Sequence, residues 1–178
     1  MTARGGETFE IARAVSDIDE LLTRPLPKTG PTGEDRLPVT EEWTLIKGEG
    51  LLIAPLWESD SFTGLYESAF EEASEAGEGN LTALVAELDR RWGPHHEACM
   101  RVPMNRKITG EPMPLLFQTL CDADLEGDLS LWGPVGPPAP GTETADRWVA
   151  VSVNQCDGDA PMILTVAITD QPITELDD

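Results

Sequence analysis

The densest run of chemically competent side chains is His95-His96-Glu97, with Cys99 two residues further on. Imidazole, carboxylate and thiolate all ligate zinc, and on a helix His95 and Cys99 would share a face at i and i+4. The context works against a metal. Pro94 falls where such a helix would begin, adjacent histidines point apart, and no Cys-x-x-Cys or His-x-x-x-His pair completes a tetrahedral set. No metal site and no cofactor are expected. Hydrolytic chemistry fares no better: there is no Gly-x-Ser-x-Gly elbow, and nothing near Cys99 is spaced to orient a base for a thiolate nucleophile. Gly48-Glu49-Gly50 lies between two apolar runs, whereas a phosphate cradle opens onto a helix. No catalytic residue is assigned.

Charge is the stronger signal. The 178 residues carry 33 acidic against 12 basic side chains, a formal charge of -21. Such a surface repels nucleic-acid phosphates and anionic membranes and attracts cationic partners. Between Lys47 and Arg90 there is no basic residue, and within that gap Glu67, Glu71 and Glu75 recur at i and i+4 with Glu72 beside them. On a helix these like charges stack at a cost of a few tenths of a kcal/mol per pair, relieved only by a basic face from elsewhere. One segment opposes the overall sign: Arg90, Arg91, Arg101, Arg106 and Lys107 face Glu97 alone within residues 90–107. His95, His96, Arg101, Arg106 and Lys107 therefore form the alternative candidate, an anion-binding set. Arg90 and Arg91 close a predicted helix, where cations meet the negative end of its dipole without any ligand.

Two base-and-acid patterns need elements to hold them, and periodicity supplies those. Phe9, Ile11, Arg13 and Val15 alternate as in a strand followed by a short helix from Ser16 to Leu22; a single helix presenting Phe9, Val15, Ile18 and Leu22 on one face is the other reading. Residues 24–40 are rich in Pro and Gly and read as a linker. Within it, Leu26-Pro27-Lys28-Thr29-Gly30 matches a cell-wall sorting pentapeptide, but without the hydrophobic span and basic tail that give the motif meaning. Trp43–Ile46 and Leu51–Leu56 flank a glycine turn and predict a β-hairpin. Phe62, Leu65, Tyr66, Ala69, Phe70 and Ala73 predict a helix capped by Asp60 or Ser61 and closed by Gly77. Leu81, Leu84, Val85, Leu88 and Trp92 predict a second, capped by Asn80 and stopped by Gly93-Pro94. A short helix is expected over Leu115–Leu120, and strands over Leu129–Trp132, Trp148–Val153 and Met162–Ile168, with a Pro/Gly loop at 133–141 and a turn at 154–159.

These elements predict an α+β fold, a mainly antiparallel sheet with helices packed on one face. The organisation is an N-terminal element at 1–23, the linker at 24–40 and a single α+β domain at 41–178. Three widely spaced cysteines, Cys99, Cys121 and Cys156, are odd in number and fit a reducing compartment. With no apolar run of bilayer length and no signal-peptide pattern at the N-terminus, the expected location is cytoplasmic. Of the five tryptophans, Trp92 and Trp132, next to Gly-Pro turns, are the candidates for interface anchors.

The C-terminal hairpin adds a resemblance. Arg147-Trp148, an alternating apolar strand, Gln155, Asp157 and Pro161, then a second apolar strand, resemble a recurrent ending in small acidic bacterial proteins of uncharacterised function. The likeness covers about the last fifth of the chain and implies no activity. The expected function is a non-enzymatic acidic module that binds a basic protein, of the immunity or antitoxin-like inhibitor kind, through Glu67, Glu71, Glu72, Glu75, Trp92 and Trp132. It would bind neither nucleic acid nor membrane directly. The alternative is a small enzyme or an anion- or nucleotide-binding protein that uses residues 90–107.

Overall fold

The computed structural model describes residues 6–40, 42–60, 67–136, 146–155 and 160–178, the side chain of Glu67 excepted. The elements in chain order are α1 (Ile11–Thr23), β1 (Gly33–Arg36), β2 (Trp43–Gly48), β3 (Leu51–Glu58), α2 (Glu67–Trp92), β4 (His96–Ala98), α3 (Arg101–Thr109), α4 (Leu115–Asp122), β5 (Leu129–Val135), β6 (Arg147–Asn154) and β7 (Ile163–Thr169). The strands form one seven-stranded sheet in the order β1-β2-β3-β7-β6-β5-β4, and every neighbouring pair is antiparallel. This is the expected α+β class.

Alternation along the central strands sends side chains to both faces. Leu52, Ile168 and Val149 lie opposite one another in one row, and Ala54, Val166 and Val151 in the next, all towards α1 and α2. Leu51, Ile53, Ala150 and Ala167 point the other way, onto Leu116, Phe117, Leu120 and Cys121 of α4. The sheet is thus a middle layer with helices over both faces, where the sequence reading placed them over one. A strand buried on both sides shows no polar alternation: all seven residues of β7 are buried.

Three boundaries differ from expectation, each for a physical reason. The N-terminal stretch is the single helix α1, because Ala14, Ile18, Leu21 and Leu22 form a continuous buried face at helical spacing; the strand-then-helix reading is corrected. The two predicted central helices are one, α2, which runs unbroken through Gly77, Gly79 and Asn80. Gly77 is buried, and a Cβ there would stand 3.3 Å from Val153 Cγ1 and 3.7 Å from Trp57 Cζ3, so the glycine lets the helix lie close to the sheet instead of ending it. The expected start at Ser61, with Phe62, Leu65 and Tyr66, lies outside the described residues. Within the stretch read as a linker, 33–36 forms β1, a fully exposed edge strand whose pairing comes from β2.

The hairpin is as predicted, Gly48 pairing with Leu51 across Glu49-Gly50, with Gly50 at φ +68°. Leu26–Gly30 is a connecting loop whose Pro27 carbonyl accepts the Gly50 N–H at 2.7 Å. The helix expected over Leu115–Leu120 and the three C-terminal strands are present, but β5 runs on through Gly133-Pro134 to Val135, into the stretch expected as the loop 133–141, and Asn154 of the expected turn 154–159 belongs to β6; residues 137–145 and 156–159 lie outside the described residues. Residues 101–109, which carry no clear periodicity, nonetheless form α3. Pro103 sits in its first turn, where no intrahelical N–H bond is lost, and Gly110 at φ +75° closes it with its N–H on the Arg106 carbonyl. No helix among the described residues is long and apolar enough to cross a membrane.

Candidate functional site

Helix α2 carries both charge patterns at its two ends. Its buried side is set by Leu84 and Leu88, with Ala73, Leu81, Val85 and Trp92 packed on the same core. Turned away from that side, Glu71, Glu72, Glu75 and Glu78 are all exposed. Glu71, Glu75 and Glu78 follow at i, i+4 and i+7, a single ridge; Glu67 opens the helix, and its side chain lies outside the described residues. No ion pair reaches Glu71, Glu72, Glu75 or Glu78 among the described residues.

The other end behaves differently. Arg90 grips Glu87 at 2.6 Å, and Arg91 pairs with Asp19 of α1 at 3.0 Å while its guanidinium lies over the Trp92 ring at 5.6 Å. Past Gly93, at φ +92°, the chain turns back so that Asp89 becomes a hub. Its carboxylate accepts the His95 backbone N–H at 2.9 Å, His95 Nδ1 at 3.0 Å and the Trp132 indole N–H at 3.0 Å. Burial alone would push the Asp89 carboxyl up, but these hydrogen bonds and the nearby imidazole hold it below the usual carboxylate range. A carboxylate only accepts, so His95 Nδ1 is the donor to Asp89, and Nε2 stands 3.9 Å from Glu97 Oε1. No hydrogen bond joins Nε2 to a serine, threonine or cysteine among the described residues. The arrangement orients an imidazole.

On α3 the cations are likewise occupied. Arg101 meets Asp178 at 3.0 Å, a pairing that raises the guanidinium pKa further. Arg106 donates to the Asp177 carbonyl at 3.0 Å and the Pro112 carbonyl at 3.4 Å. Lys107 donates to the Cys121 carbonyl and faces Asp124 at 3.3 Å and Glu126 at 3.8 Å. Desolvation by itself would lower the Lys107 pKa, and the two carboxylates overcome it and raise it. No hydrogen bond or ion pair joins His95 or His96 to Arg101, Arg106 or Lys107 among the described residues; the bonds these three cations make are to acids and carbonyls of the chain itself.

Elsewhere the pairing continues, with Arg13 on Glu7, Arg24 on Glu20, Arg36 on Glu34 and Lys47 on Asp35. Arg147 is buried and donates to the Arg24 carbonyl at 3.3 Å; burial lowers its pKa, against the pull of Asp170. Lys28 is the exposed cation without an ion pair among the described residues.

Of the proposed anchors, Trp132 is 2% exposed and tied by its N–H to Asp89 and to the Gly93 carbonyl. It is a core residue, and its reading as an exposed interface anchor is corrected. Trp92 is half-buried, edge-on to Trp132 with ring centroids 5.8 Å apart, and lines a shallow cavity with Pro94, His96 and the cis Gly133-Pro134 bond. His96 lies on β4, a strand, so His95 and Cys99 do not share a helical face. Among the described residues no group of three His, Cys, Asp or Glu side chains is placed to hold a metal ion. Burial pushes the Cys121 thiol pKa up, away from thiolate chemistry.

Sequence reasoning missed Asp89, Asp19, Asp177 and Asp178. Asp89 had a local signal, since Gly93-Pro94 marks a reversal that brings residue 95 back over the last helical turn. The others reach their partners only through the tertiary fold. Compared with protein-family models, curated proteins and solved structures, the chain matches none.

Proposed function

We propose that the protein is a non-enzymatic, acidic protein-binding module that recognises a basic partner through the glutamate ridge of α2. The observation that carries this is the uneven use of counter-charge. The described cations other than Lys28 are paired, bonded to carbonyls or buried, while Glu71, Glu72, Glu75 and Glu78 stand together without one. Exposed like charges at helical spacing cost stability and gain it back only when an opposite face arrives. They also raise the encounter rate through long-range attraction.

An inhibitor of the immunity or antitoxin kind, covering the basic active face of a nuclease or similar protein, is the most concrete form of this reading. A cytoplasmic setting belongs with it, in keeping with the free thiols of Cys99 and Cys121. The alternative, an anion or nucleotide site on residues 90–107, is less favoured because those cations already hold acids or carbonyls of the chain itself.

The test is affinity capture of the tagged protein from its native cell, followed by association kinetics with the captured partner. A variant with Glu67, Glu71 and Glu75 changed to Gln should associate more slowly, with little change in thermal stability, and the on-rate of the parent should fall steeply with added salt. An on-rate indifferent to both would sink the proposal.

A further inference from the structure

Arg147 is the single buried charge among the described residues, 7% exposed. It opens β6 opposite Val135 of β5, and strand alternation turns its side chain to the face of Val149 and Val151, which packs on α1 and α2. There Nη2 donates to the Arg24 carbonyl, at the end of α1, over 3.3 Å. Nε and Nη1 are buried with no hydrogen-bond partner. The negative end of the α1 dipole favours a cation at this place, but one long bond leaves most of the guanidinium fork unused.

The other arginines fare differently. Arg13, Arg24, Arg36, Arg90, Arg91 and Arg101 each hold a carboxylate, and Arg106, only partly buried, takes two carbonyls. The chain has 33 acidic side chains, yet no carboxylate of the described residues forms an ion pair with Arg147. Asp170 attracts it without pairing with it, and burial pushes its pKa down, but a guanidinium stays protonated at neutral pH. A buried charge without a partner is strongly destabilising, and an apolar side chain of the same length would avoid the cost.

We infer that Arg147 anchors a small anion-binding site, between the end of α1 and the start of β6, that takes a monocarboxylate. Charge sets the class. One guanidinium balances one negative charge, so a carboxylate is neutralised there, whereas a phosphate dianion would bring a second charge into the core unpaired. Shape agrees, since carboxylate oxygens accept guanidinium N–H bonds in the plane of the group. Burial sets the size: Nε and Nη1 have no open surface, so the acid is short, of the formate or acetate class, and enters as the loop after Arg24 gives way. That loop is tied back by the Pro27 carbonyl on the Gly50 N–H. The site is separate from the glutamate ridge, and either can fail alone.

Thermal unfolding of the full chain in sodium acetate or formate tests it, with sodium chloride at equal ionic strength and neutral acetamide as controls. At about 100 mM the parent should melt about 2–4 °C higher in either carboxylate than in chloride, and acetamide should have no effect. Arg147→Met keeps the stem, removes the charge and should lose the carboxylate shift. Should that variant not fold, the side-chain Nε–H resonances of the ¹⁵N-arginine-labelled parent decide: the buried, slowly exchanging one should move with acetate and stay in place with chloride. An equal rise in parent and Arg147→Met is a general salt effect and would overturn the site. No carboxylate-specific rise in the parent, or an Nε–H resonance indifferent to acetate, would overturn it too.

Discussion

The first half of α2 and the segment from its end through α3 differ in charge sign, and they differ more deeply in where their counter-charges come from. Residues 90–107 are locally basic, yet Arg90, Arg91, Arg101 and Lys107 each face a carboxylate of the same chain, and Arg106 donates to backbone carbonyls. Glu71, Glu72, Glu75 and Glu78 are locally acidic and have no such supply among the described residues. A charged run therefore points to a partner only when the fold leaves it without one. The basic segment stood out in the sequence because its sign was unusual. In the folded molecule it is the quieter of the two.

The contrast is broken most forcefully by reversing the ridge. Glu71→Lys with Glu75→Lys should lower the on-rate for a basic partner by on the order of 10²-fold. The new lysines would meet Glu67, Glu72 and Glu78 at helical spacing, so thermal stability should hold or rise slightly. Binding kinetics beside a melting curve decide it: if stability collapses in step with binding, the ridge was structural.

Next in size is the hub between the two regions. Asp89→Ala would strand the His95 donors and leave the Trp132 indole N–H to the Gly93 carbonyl alone, a loss of about 1–3 kcal/mol in urea unfolding at neutral pH. Its pH dependence has a definite sign. A carboxyl whose folded pKa lies below its ordinary value contributes stability above that ordinary value, and loses it as pH falls through the depressed one. The parent's advantage over Asp89→Asn should therefore shrink below about pH 4. An advantage that stayed constant on acidification would assign the effect to packing rather than charge.

The smallest effect belongs to the paired cations. Arg101→Ala with Arg106→Ala should scarcely move the melting temperature, since the Arg101–Asp178 pair is well exposed. Phosphate should raise the melting temperature of parent and variant alike by no measurable amount. A phosphate-dependent rise in the parent, lost in the variant, would return the anion site to first place.

How much of this was legible depends on the range of the interaction. The β2–β3 hairpin, α4 and the last three strands were readable because turn glycines and apolar periodicity act over a few residues. α2 looked like two helices because Gly77 and Asn80 resemble a cap and a start, and nothing local says that Gly77 is spent on contact with Val153 and Trp57. β1 has no apolar residue to betray it and is a strand only because β2 lies beside it. α3 was hidden by Pro103 and by weak amphipathicity. As for the candidate site, the glutamate ridge was visible from spacing alone. The neutralisation of the basic segment was not, because its carboxylates come from 72 residues away at Asp19 and 77 at Asp178.

The continuity of α2 has a mechanical side. A helix of 26 residues is a rod of about 39 Å, with a run of glutamates along its first half that no cation of the described residues pairs and matched charges at its far end. In an external field the centre of charge and the centre of mass of such a rod feel different pulls. A basic surface approaching from any direction therefore exerts a torque as well as an attraction, turning the acidic end of α2 to the front before the molecules touch. Had the chain broken into two helices at Gly77, that end would swing on a joint and the torque would be spent on bending it. Kept in one piece, α2 passes the turn to the whole sheet.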